Sequence, residues 1–163
     1  MKVKVLNKSN DQLPKYETSK SAGVDVRARL NRMPFKAFGH VSVVKGENGK
    51  VGMIRISPFG RVLIPTGLFV AIPEGYEIQI RPRSGLALKE GITLANCIGT
   101  VDADYRNEIG VILINLNNED VFIEDNERIG QLVLNKVEKI EWEEVDTLDE
   151  TDRKGGFGST GTK

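Results

Sequence analysis

The sequence predicts an all-β domain, a barrel, sandwich or jelly roll, on three observations. Apolar and polar residues alternate at period two in one short segment after another. Clusters such as "GENG", "SPFG", "PEG" and "NNED" punctuate those segments with turn residues, and no stretch carries the long apolar stripe of an amphipathic helix. Many short, evenly spaced strands favour closed or double-layered β architectures, which bury one face of each strand and protect the edges.

Each element follows from its own pattern. After a first strand in "KVKVL", the stretch "GVDVRAR" puts Val24, Val26 and Ala28 on one face and Asp25, Arg27 and Arg29 on the other, which is therefore wet or paired. Residues 33–60, with "HVSVV", "VGMIRIS" and the tip "GENGK", predict an extra hairpin laid on the core. "RVLIP" and "GLFVAI" follow as strands. In "GYEIQIR", Ile78 and Ile80 point one way and Glu77, Gln79 and Arg81 the other, until Pro82 stops the ladder and leaves "RSG" as a loop. Only "SGLALKEG" has the makings of a short helical turn. "ITLAN" then leads through a Gly turn and an acidic loop into "EIGVILIN", which predicts a hairpin with an acidic turn. "VFIE" and "QLVLNKV" complete a single domain over 1–152, and a Gly-rich flexible tail occupies 153–163.

Composition excludes several function classes. Lys plus Arg and Asp plus Glu number 23 each, so no net field draws the chain to a nucleic-acid polymer or an anionic membrane. The lone cysteine, Cys97, has no internal disulfide partner, and the N-terminal residues lack the apolar stretch of a secretory signal, so a reducing, cytoplasmic setting is expected. One histidine, His40, in a Gly- and Lys-rich segment reads as a solvated loop residue. With a single His and a single Cys, neither a closed zinc site nor a His-based triad fits within one chain.

Four segments hold candidate chemistry. In "RPRSGLA", Arg83, Ser84 and Gly85 offer a forked cation, a hydroxyl and an open backbone N–H, the donor set that suits phosphate oxygens; a surface ion pair for Arg83 is the plainer alternative. In "GTVDADYRNEIG", Asp104, Arg106 and Asn107 read as solvated, whereas Asp102 beside Val101 is placed for partial burial and for work as a base or as a donor's partner. In "NERIGQLVL", Arg128 and Gln131 stand at the mouth of an apolar strand, to meet phosphate or to cap the barrel. The tail supplies Arg153 and Lys154 as cations, Gly155, Gly156 and Gly158 as backbone donors, and Phe157 as a ring able to stack on a base. Its "GFGSTG" matches the dinucleotide-binding fingerprint, but no βαβ unit precedes it, so the match is accidental and the tail reads as a lid.

Together, "SAGVDVRA", "RPRSGLALK", "GTVDADYRNEIGVILIN", "NERIGQLVL" and "TDRKGGFGSTG" resemble the five ordered motifs of the trimeric deoxyuridine triphosphatases, across nearly the whole chain. The resemblance implies a distorted jelly-roll barrel, assembled as a homotrimer with a swapped or extended C-terminal arm. It also implies Mg²⁺-dependent hydrolysis of dUTP to dUMP and pyrophosphate in sites built from three chains. Asp102 then corresponds to the carboxylate that activates the attacking water, and Tyr105 to the ring under the sugar. Asn96, Gly99, Thr100 and Gly110 match the uracil-reading segment. Arg83, Ser84 and Gly85 match the phosphate cradle, with Gln131 beside it, and Asp25 a carboxylate near the metal's waters or a structural partner of an arginine. The tail would close with Phe157 over uracil and Arg153, Gly158 and neighbouring backbone on the phosphates. Here the chain departs from the usual "RGxGGFG": its "RKGGFG" is one residue shorter and puts Lys154 forward to share the task of Arg153.

Two other readings share these residues. A dCTP deaminase on the same fold needs a glutamate on the strand that here reads "IGVILIN". A nucleotide-gated interaction protein would bind dUTP, order its tail and present the closed form or the 33–60 insert to a partner.

Overall fold

The computed structural model describes residues 1–32, 35–152 and 155, and every strand pair among them is antiparallel. The strands are β1 (Lys4–Asn7), β2 (Val24–Arg27), β3 (Lys36–Phe38), β4 (Val41–Lys45), β5 (Val51–Ile56), β6 (Arg61–Pro65) and β7 (Leu68–Ala71), then β8 (Tyr76–Arg81), β9 (Ile92–Leu94), β10 (Gly99–Val101), β11 (Gly110–Asn115), β12 (Val121–Glu124) and β13 (Arg128–Lys136). The helix α1 covers Ser84–Glu90. Four sheets, ordered β10-β8-β13-β2, β3-β6-β11-β9, β12-β5-β4 and β1-β7, pack round one core as an all-β jelly roll. The strand ladders among the described residues do not run as one ring round it, and single backbone bonds such as Arg29 N–H to the Pro65 carbonyl (2.9 Å) and Ile109 N–H to the Leu68 carbonyl (2.8 Å) tie one sheet to the next.

Alternation decides which faces turn inward. Val26, Ala28, Ile54, Ile56, Val62, Ile64, Val111, Leu113, Ile123 and Ile129 are almost wholly buried, and each of the valines, leucines and isoleucines contributes roughly 1.5–3 kcal/mol of apolar transfer. Asn115, at the end of β11, is the one polar residue among those described that has no exposure. Its amide donates to the carbonyls of Ile56 (2.8 Å) and Glu119 (2.7 Å) and its Oδ1 accepts the Asn117 N–H (2.8 Å), so its burial leaves no polar atom unpaired.

The 33–60 segment contains the expected hairpin tip, where the Gly46 N–H donates to the Lys50 carbonyl (2.9 Å). Its inner strand is part of the core: Ile54 and Ile56 on β5 are fully buried and β5 also pairs with β12. Two expectations need correction. "RSG" is not a loop, because α1 begins at Ser84 directly after Arg83, whose φ of −89° and ψ of 126° are the extended values of a residue preceding a helix. Nor is the acidic stretch a simple hairpin turn: β9 and β11 pair with each other (Leu113 opposite Leu94), but between them β10 crosses to another sheet and pairs with β8 (Gly99 opposite Ile80). Gly99 permits that crossing, since a Cβ there would lie 3.1 Å from the Asn96 amide and 3.2 Å from Ile80.

Candidate active site

The site residues fall at two ends of β8. At its C-terminal end Pro82 ends the pairing and Arg83 turns toward β2 and β13, which run side by side with Asp25 opposite Gln131. The Asp25 side chain, 11% exposed, has its Oδ2 3.3 Å from Arg128 Nη1 and its Oδ1 3.6 Å from Arg83 Nε. Gln131 Nε2 donates to the same Oδ1 at 3.1 Å, and Arg83 Nη1 donates to the Arg128 carbonyl at 3.1 Å. A register shift between Arg128 and Gly130 brings Arg128 into this group. Arg128 Nη2 also meets Glu17 Oε1 at 2.9 Å. Asp25 thus gathers Arg83, Arg128 and Gln131, the pairing that alternation along "GVDVRAR" allowed for.

Ser84 and Gly85 follow, both exposed. A Cβ at Gly85 would meet nothing within 4 Å, so nothing in its own chain demands a glycine there. The residues fit a magnesium ion only at one remove. Two guanidiniums crowd Asp25, and no group of three or more His, Cys, Asp or Glu capable of holding a metal exists among the described residues. A dication here would have to rely on a ligand's phosphates and on retained waters, with Asp25 reached through water.

At the other end, β10 places Thr100 and then Asp102 beside a cleft of about 820 Å³ that Tyr76, Glu77, Ala103 and Arg106 also line. Asp102 is exposed, so the described residues of the chain do not give it the partial burial expected for it. The reason is local: Asp102 follows the last residue of β10 and opens a turn in which its carbonyl accepts the Tyr105 N–H at 3.1 Å. Asp104 and Asn107 are exposed as expected, whereas Arg106, also exposed, clamps the turn by donating to the carbonyls of Ala103 (2.7 Å) and Tyr105 (2.9 Å). Asn96 is exposed between β9 and β10, and Gly110 opens β11 where a Cβ would come within 2.5 Å of Leu63 Cδ1. Arg153, Lys154, Phe157 and Gly158 lie outside the described residues.

Sequence reasoning missed Glu108 and Arg32. The Arg32 guanidinium meets Glu108 through Nε to Oε1 and Nη2 to Oε2, both at 2.9 Å, and the Gly67 N–H donates to Oε1 at 2.6 Å. Burial pushes the Glu108 carboxyl up, but the Arg32 and Gly67 hydrogen bonds and the Arg32 and Lys8 charges outweigh it and hold the group below the usual carboxylate range. The pair is separated by 76 positions, so no local pattern announces it.

The two halves do not converge. Val101 stands opposite Ile78, which sets Asp102 level with Glu77; Arg83 lies six positions further along, on the order of 20 Å at strand rise. An all-β chain with an arginine–glutamine cluster at one end of a strand and a carboxylate-bearing turn at the other carries donors of the kind that suit phosphate oxygens, set apart from a carboxylate. The chain belongs to the dUTPase family: the dUTPase family model matches residues 53–161. It is 52% identical over 162 residues to the deoxyuridine 5'-triphosphate nucleotidohydrolase of Finegoldia magna, covering 99% of each chain. It is also 52% identical to the protein of that name from Fusobacterium nucleatum, covering 99% of this chain and 97% of the other. Among solved structures, the dUTPase of Staphylococcus bacteriophage 80alpha with dUPNHPP shares the fold at a TM-score of 0.73 and 23% identity over 98% of each chain. A phage phi11 dUTPase mutant described with a structural Mg(II) ion aligns at 0.71 and 18%, over 92% of this chain and 100% of that one. No helix among the described residues is long and apolar enough to cross a membrane.

Proposed function

We propose that the chain hydrolyses dUTP to dUMP and pyrophosphate in a site shared between the subunits of a homotrimer. The observation that carries the shared site is the separation along β8. A cradle at Arg83 on the order of 20 Å from Asp102 cannot hold the phosphates of a nucleotide on which the same chain's Asp102 acts. Docking the cradle of one copy against the turn of another brings both to one nucleotide and supplies the burial that Asp102 lacks.

In that site Arg83, Ser84, Gly85 and Gln131 bind the phosphate chain, with Asp25 fixing the Arg83 and Arg128 guanidiniums so that their donors are preorganised. Asn96, Gly99, Thr100 and Gly110 read uracil, whose carbonyl oxygen accepts where the amino group of cytosine would oppose a donor. Tyr105 lies against the deoxyribose and leaves no room for a 2′-hydroxyl. Asp102 orients a water and accepts its proton as the water oxygen bonds to the α-phosphorus and the bond to the bridging oxygen of pyrophosphate breaks. Magnesium, when bound, neutralises charge on the phosphate oxygens, and Asp25 would hold its waters. Arg153 and Lys154, with the Gly158 backbone, would hold the outer phosphates while Phe157 covers the base and water is shut out. A cytoplasmic setting belongs to the same reading, since Cys97 is free and exposed. Pyrophosphate release from dUTP, measured beside the mass of the purified protein in solution, tests it: a stable monomer that leaves dUTP intact would refute it.

A further inference from the structure

The turn bearing Asp102 and Tyr105 is closed on itself by the Tyr105 N–H to the Asp102 carbonyl and by Arg106, so its place in the domain depends on its ties to the body. Tyr105 is 37% exposed, and apart from Ala103, which packs on the core, the ties of this turn to the body of the domain among the described residues converge on Glu108 and Ile109. The Tyr105 hydroxyl donates to the Glu108 carbonyl at 3.0 Å. The Glu108 carboxylate, on the same residue, is gripped on both oxygens by Arg32 and on one by the Gly67 N–H. Arg32 is itself anchored, its Nη1 donating to the Lys8 carbonyl at 3.1 Å, and the Lys8 N–H donates to Gly67 O at 2.7 Å. Gly67, at a φ of +75°, lies so close to Ser9 that a Cβ would stand 2.5 Å from its Cα, which fixes the 66–68 turn against the N-terminal segment. A two-point guanidinium–carboxylate fork sets the plane of the carboxylate as well as its distance.

We propose that the Arg32–Glu108 pair is a positioning device for Tyr105, setting through the Glu108 peptide how closely the ring approaches the sugar and hence how strongly deoxyribose is preferred to ribose. The inference rests on the reading of Tyr105 as the residue against the sugar. Rotation of the Glu108 peptide moves the carbonyl that holds the Tyr105 hydroxyl, and a displacement of about 1 Å is enough to alter a substrate's fit substantially. Neither Arg32 nor Glu108 is required to touch substrate; each acts through Tyr105.

The test is the ratio of kcat/KM for dUTP to kcat/KM for UTP in the full chain, for Arg32→Ala, Arg32→Lys, Glu108→Gln, Tyr105→Phe and Tyr105→Ala. Arg55→Ala, which breaks the surface pair with Asp120 at 3.2 Å, serves as the control. Arg32→Ala and Glu108→Gln are expected to lower the ratio roughly tenfold, Tyr105→Phe to move it the same way, and Arg32→Lys to restore part of it, while Arg55→Ala leaves it unchanged. A merely structural role would depress both nucleotides equally. A wild-type ratio in Glu108→Gln and Arg32→Ala, with Tyr105→Ala losing it, overturns the inference alone. An unchanged ratio in Tyr105→Ala overturns the sugar reading as well. Should Arg32→Ala fail to fold, the near-isosteric Glu108→Gln decides.

Discussion

Asp25 on β2 and Gln131 on β13 stand opposite each other in an antiparallel ladder, and the Gln131 amide donates to Asp25 Oδ1 at 3.1 Å. The same carboxylate also meets Arg83 and Arg128, the second of which it shares with Glu17.

Asp25→Asn therefore leaves Arg83 without this counter-charge and Arg128 with that of Glu17 alone. Its cost is expected at about 1–3 kcal/mol, since the amide keeps a hydrogen-bonding shape but not the charge. Added pyrophosphate supplies the missing negative charge, so it should raise the melting temperature of the variant by more than it raises that of the wild type. An equal rise in both would show that Asp25 does not organise an anion cradle.

Asp102→Asn should keep assembly and nucleotide binding while lowering kcat by roughly a hundredfold or more. Asp102 is exposed and its side chain makes no hydrogen bond or ion pair among the described residues, so stability should hardly change. Isothermal titration with a non-hydrolysable dUTP analogue, beside steady-state kinetics, separates the two effects, and near-normal turnover would remove Asp102 from the chemistry.

Asn115→Ala removes donors from two carbonyls and an acceptor from one N–H in a fully buried place. Each unmet group costs about 1–3 kcal/mol. Urea unfolding should show a loss of several kcal/mol, with the turn between β11 and β12 loosened; a loss under about 1 kcal/mol would mean that water replaces the amide.

Acid dependence follows from two glutamates with opposite signs. Glu108 is held below the usual carboxylate range, so its contribution is complete above about pH 4.3 and is lost as the pH falls through its lower folded value. Glu127 is pushed up by burial and by the Glu124 and Glu90 charges, against the Glu124 N–H and the Arg83 charge, so ionising it opposes folding as the pH rises through its higher folded value. Glu108→Gln should lie below wild type in stability near neutral pH and converge with it in acid, whereas Glu127→Gln should gain on wild type as the pH rises. Parallel stability–pH curves for all three proteins would contradict this assignment.

Truncation after Asp152 removes the proposed lid. It should leave the melting temperature nearly unchanged, because the core lies between β2 and β13, yet lower kcat for dUTP by well over tenfold if closure excludes water and completes the charge around the phosphates. An unaltered kcat would give the tail no part in catalysis.

Period-two alternation by itself determined that the chain is all β and which face of "GVDVRAR" and "GYEIQIR" turns inward, because a strand must send neighbouring side chains to opposite sides. Local composition likewise marked α1 and the 46–50 tip, and the five motifs pointed to the dUTPase family. Only the tertiary structure decided that β5 belongs to the core, that β10 leaves its neighbours for another sheet, that Asp25 joins Arg83 to Arg128, and that Arg32 grips Glu108. Those relations bind residues tens of positions apart, and alternation has no memory beyond the next turn: it fixes the side on which a residue lies, while long-range packing and charge pairing choose its companion.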